Sequence, residues 1–181
     1  MIANHSQSQY TLPMKADGQN LSANSCQNCL SPAERHLLCA FRWWLTGSAQ
    51  CDRTANDRAR KELEALVGTT QAHLILAHFD IMIRAIALCP RRSLRYHPPW
   101  CSAVCRDELL LLALAATHQH GSTIMGAALA DVVSGEAGSA RVCHAAEDLA
   151  QSVLAAGVVL TLTRSVNSAI ALGALGLVRL H

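Results

Sequence analysis

Residues 70–88 read TQAHLILAHFDIMIRAIAL, and the reading of this stretch decides the fold. Leu74, Ile75, Leu76, Phe79, Ile81, Met82, Ile83, Ile86 and Leu88 leave almost no polar face and show none of the alternation a half-buried strand requires. A run of this length, apolar nearly all round, predicts a helix from Thr70 to about Leu88 at the centre of a helical bundle. Gly68 before it and Pro90 after it punctuate the chain at both ends.

Upstream, Ser31-Pro32-Ala33-Glu34 forms a capping box with proline at the first helical position. Leu37, Leu38, Phe41, Trp44 and Leu45 then recur at helical steps, and Gly47 is expected to end this first helix. Trp43 falls off that stripe. A second helix is expected from Thr54 to Val67, with Ala59, Leu63, Leu66 and Val67 inward and Gly68 as its stop. Downstream, Pro90, Pro98 and Pro99 force a loop. A fourth helix is predicted from about Ser102 to Gly121, a fifth over Ser122–Val133, a sixth over Ser139–Ala156 and a seventh over Leu162–Arg179. The expected fold is all-α: one helical bundle of about six or seven helices over 31–181. Residues 1–30 are polar and read as a disordered tail.

Composition agrees with this class. The 181 residues are 51% hydrophobic, 4% aromatic and 15% charged, so the apolar content lies mainly in aliphatic, helix-favouring side chains. A net charge of +2 is too small to argue for nucleic acid or anionic membrane by itself. The N-terminal segment lacks the apolar core of a secretory signal. The apolar runs Val153–Thr163 and Ala169–Val178 are shorter than the roughly 20 residues needed to cross a bilayer. The expectation is a cytoplasmic protein without a transmembrane segment, its eight cysteines held as thiols.

The densest set of potential ligands lies between Cys89 and Glu108, CPRRSLRYHPPWCSAVCRDE. Cys89, His97, Cys101 and Cys105 supply soft donors from two helix ends and the loop between them. That set is enough to close a tetrahedral zinc site that staples the loop to the bundle. With the fourth helix starting near Ser102, Cys101 and Cys105 would share one helical face. If Cys89 stays out, three ligands remain around an open position, with Glu108 as ligand or base. An iron–sulfur cluster is the second choice of metal centre.

Other candidates are weaker. Cys26 and Cys29 have the spacing of half a zinc knuckle but sit in the polar tail. His118 and His120 close the fourth helix, where imidazolium suits the helix dipole. His144 and Glu147 share a face beside Cys143. Arg91, Arg92 and Arg95, with Arg53, Arg58, Arg60 and Lys61, make a small basic surface. The leading expectation is a regulatory or adaptor-type protein with a structural metal in the loop and a homodimer or protein partner. The alternatives are a nucleic-acid-binding regulator using Arg91–Arg95 and a metal-dependent hydrolase using Glu108.

Overall fold

A computed structural model describes residues 14–16 and 30–161. Six helices follow in order: α1 Pro32–Gln50, α2 Arg53–Val67, α3 Thr69–Leu88, α4 Arg106–Gln119, α5 Thr123–Ser134 and α6 Glu136–Ala155. The protein is an all-α helical bundle. Among the described residues the helices are accompanied by a two-stranded parallel sheet in which β1 (Met14–Ala16) pairs with β2 (Leu94–Tyr96), Met14 opposite Leu94. The segment expected to be a tail thus lends three residues to the interhelical loop. The expected seventh helix, Leu162–Arg179, lies outside the described residues.

The helix signals act as their chemistry dictates, with four corrections. Ser31 accepts from the Glu34 amide and Glu34 accepts from the Ser31 amide, so the predicted capping box closes α1. Gly47, however, does not end α1. The helix runs on to Gln50 and stops at Cys51, whose φ of 54° is left-handed. Gly47 is there for closeness: a Cβ at this position would stand 2.1 Å from the Asn56 side chain and 2.9 Å from the Asp52 carbonyl. The fourth helix begins at Arg106, not Ser102, and the sixth at Glu136, not Ser139.

The fourth correction concerns the centre of the bundle. Leu109 to Thr117 of α4 are all buried, so α4 is the central helix. Only one face of α3 enters the core, through Ala72, Ile75, Phe79, Met82, Ile83 and Ile86. Its other face leaves Leu74, Ile81 and Leu88 exposed by 42%, 49% and 54%. The core joins α1 to α3 through Phe79, which stacks on Phe41 at 3.6 Å and meets Trp44 edge-on at 5.4 Å. Among the described residues α3 is the one helix long and apolar enough to cross a membrane, with a mean hydropathy of 1.3.

Candidate functional site

The loop between α3 and α4 is built around two carboxylates in the first turn of α4. Glu108 is 2% exposed and faces Arg42 of α1, which is 1% exposed. The guanidinium grips the carboxylate with both edges, Nε to Oε1 at 2.7 Å and Nη2 to Oε2 at 2.8 Å. Each carboxylate oxygen also accepts a backbone amide: His97 on Oε1 at 2.9 Å and Cys105 on Oε2 at 2.8 Å. Two further guanidinium N–H groups go to the loop's carbonyls, Nη1 to Cys101 and Nη2 to Ala103, both at 2.6 Å. A buried ion pair offsets its desolvation only when its other hydrogen-bonding capacity is filled in this way.

Asp107 does the same for the start of the loop. It accepts from both Arg92 Nη atoms, with Nη1 at 2.6 Å from Oδ2, and from the Arg95 amide at 2.8 Å. The Arg92 pKa rises, chiefly through its hydrogen bonds to Asp107. Both carboxylates also lie at the positive N-terminal end of α4, which favours their charge. The loop is therefore pinned to α1 and α4 by buried charge, with β2 running between the two anchor points.

The expected zinc ligands are placed around this network. Cys89 is the C-cap of α3 and packs against α6, its Cβ 2.8 Å from the point where a Gly138 Cβ would stand. His97 is 6% exposed, and its Nε2 has no hydrogen-bond partner. Cys101 closes a turn onto the Pro98 carbonyl at 2.9 Å. Cys105 is the N-cap of α4 instead of a partner one turn along from Cys101, and its Sγ donates to the Arg95 carbonyl at 3.2 Å. Burial, with Glu108 adding to it, pushes the Cys105 thiol up to about 12. Among the described residues no group of three or more His, Cys, Asp or Glu side chains converges to hold a metal ion. Cys26 and Cys29 lie outside the described residues.

The other expectations can be placed too. All four acceptor directions of the Glu108 carboxylate are filled, so it acts as an anchor, with no lone pair open to a substrate proton. In the basic loop, Arg92 is neutralised by Asp107, and Arg91 faces Asp131 at 3.7 Å. His118 departs from its expected role: burial lowers its pKa, and α5 packs so close that a Gly126 Cβ would stand 2.9 Å from Nε2. His144 and Glu147 are exposed on α6, while burial raises the pKa of Cys143.

What the loop displays is aromatic. Trp100, 78% exposed, meets Trp43 of α1 at 6.3 Å and 61°. Arg58 of α2 lies 4.7 Å over the Trp43 ring. Beside them is an open cleft of about 330 Å³ lined by Arg35, His36, Cys39 and Glu62 from α1 and α2 and by Pro99 to Ser102 from the loop. The His36–Glu62 pair crosses it at 3.5 Å. Arg42 had a legible sign: it interrupts the α1 stripe between Leu38 and Leu45, where a charge must be paired if it is buried. Comparison with protein-family models, curated proteins and solved structures found no match.

Proposed function

We propose that this is a cytoplasmic, regulatory or adaptor-type binding module that takes an extended peptide segment of a protein partner in the cleft beside Trp43 and Trp100. The observation that carries this reading is an almost fully exposed tryptophan on a loop immobilised from beneath by a buried ion pair. Exposing a large aromatic ring to water costs free energy, and a rigid loop keeps that ring from folding away. Tryptophan and arginine dominate the energetics of protein interfaces, and aromatic-lined grooves accept extended, proline-containing peptides. Trp100 lines the cleft and its indole is propped edge-on against Trp43, so it offers one aromatic wall for such a segment. Preorganisation of this kind lowers the ordering cost of binding.

No zinc is needed in this reading, because Arg42 and Glu108 join the loop to α1 where a metal staple was expected. The test is selection of short peptides from a displayed random library on the immobilised full-length protein, repeated with Trp100→Ala. The expected result is a set of peptides retained by the wild type and released by Trp100→Ala at unchanged thermal stability. Failure to enrich any peptide, or equal retention by the variant, overturns the proposal.

A further inference from the structure

The cleft holds two thiols from elements far apart in sequence. Cys39 lies on α1 and Cys101 in the loop, and both line the cavity together with Pro99. The loop approaches α1 at this point. Cys39 Sγ is 4.0 Å from the Pro99 carbonyl, and the Cys101 amide turns back to Pro98 at 2.9 Å. Arg42, three residues beyond Cys39 and so on the same side of α1, holds the Cys101 carbonyl at 2.6 Å. Cys101 is thus clamped against the turn of α1 that carries Cys39.

The remaining described thiols lack this arrangement. Cys51 is exposed at the far end of α1, about 18 Å along the axis from Cys39 at 1.5 Å per residue. Cys89 packs against α6, Cys143 lies within α6, and Cys105 donates to the Arg95 carbonyl. All six described cysteines are thiols.

We infer that Cys39 and Cys101 form a redox-sensitive dithiol whose oxidation to a disulfide closes the cleft and switches off the peptide site beside Trp100. The switching part rests on the peptide-docking reading; the disulfide itself does not. The oxidant is a small disulfide such as oxidised glutathione. One protein thiol, as thiolate, attacks it to give a mixed disulfide and one glutathione thiol. The second protein thiol then displaces the other glutathione, so two protein thiols are oxidised by two electrons and one glutathione disulfide becomes two glutathione thiols. Burial and the nearby Glu62 raise the pKa of Cys39, which disfavours it as the first attacker on the glutathione disulfide; its attack on the mixed disulfide at Cys101 is intramolecular and is favoured by proximity. In a reducing compartment such a pair stays open until the glutathione pool is oxidised.

The experiment treats the reduced full-length protein with oxidised glutathione, then maps peptides by mass spectrometry without reduction. The expected product is about 2 Da lighter than the dithiol, joins the peptides carrying Cys39 and Cys101, and reverts with a reductant. Cys39→Ser and Cys101→Ser should each abolish it. Glutathionylation at exposed Cys51 with no Cys39–Cys101 link, or a link from either residue to another cysteine, overturns the inference. Peptides selected on the reduced protein should lose at least tenfold in affinity after oxidation and recover it after reduction. Formation of the disulfide with unchanged peptide affinity overturns the switch. A protein that forms the disulfide but selects no peptide at all contradicts the docking proposal and leaves the dithiol chemistry supported.

Discussion

The two ends of α4 fasten irregular chain by different means. At the N-terminal end, Glu108 and Asp107 hold the α3–α4 loop through two guanidinium groups and three backbone amides. At the C-terminal end, α4 itself contributes no carboxylate or guanidinium, and Glu34 of α1 accepts the Thr161 amide at 2.7 Å. The Gln119 amide donates to the Ala150 and Val158 carbonyls and accepts from the Leu160 amide, while His120 Nε2 lies 2.9 Å from the Leu160 carbonyl. Charge buried as completely as Arg42–Glu108 fixes one geometry because every alternative leaves an ion unpaired in the interior. Neutral hydrogen bonds are each worth about 1 kcal/mol and yield more gradually.

The largest effect should come from breaking the charged end. Arg42→Met or Glu108→Gln alone is expected to cost about 3–5 kcal/mol in urea unfolding, because a charge or an unmatched polar group is left buried. Arg42→Met with Glu108→Leu should recover much of that loss, as no ion is then stranded. A double variant as unstable as the sum of its single variants would remove the distinction between the two ends.

Gln119→Ala probes the neutral end. It should cost about 1–3 kcal/mol, from hydrogen bonds lost to segment 158–160 and a carbonyl left without its donor. A loss equal to that of Glu108→Gln would mean that charge contributes nothing special.

Acid should then separate the ends further. Burial lowers the folded-state pKa of His118, near the C-terminal end of α4, although Glu147 opposes the shift. The unfolded chain therefore takes up this proton more readily than the folded one. The His118 contribution is full above the unfolded value of about 6.5 and is lost as pH falls through that value towards the lowered folded one. His118→Gln should flatten the fall of the melting temperature between about pH 7 and pH 5; an unchanged slope would contradict this. The smallest effect belongs to Trp100→Ala. That side chain is 78% exposed, so stability should stay within about 0.5 kcal/mol of wild type in the same unfolding measurement.

These differences also explain which parts were legible in the sequence. The capping box at Ser31, the glycine stop at Gly68 and the proline-bounded loop are local signals, and they placed the helices of the all-α bundle. Gly47 misled because glycine serves close packing as well as helix ends, and only Asn56, across the α1–α2 contact, distinguishes the two. The start of α4 was set four residues too early because its capping carboxylate, Glu108, follows a cysteine where serine or threonine is usual. The candidate site was legible only as a place. Cysteine and histidine drew attention to 89–108, whereas the residues that organise it are Arg42, Asp107 and Glu108. Arg42 and Glu108 are 66 positions apart, and no periodicity reports a pairing at that distance.

The most direct measurement is hydrogen exchange of the 94–105 segment, compared among wild-type protein, wild-type protein with a metal chelator, and Glu108→Gln. Glu108 accepts the amides of His97 and Cys105. If the ion pair is the anchor, the chelator leaves protection unchanged while Glu108→Gln brings the segment close to the exchange rate of open chain. If the chelator opens the segment while Glu108→Gln stays protected, thiol–metal bonds hold the loop, and the carboxylate–guanidinium account is wrong.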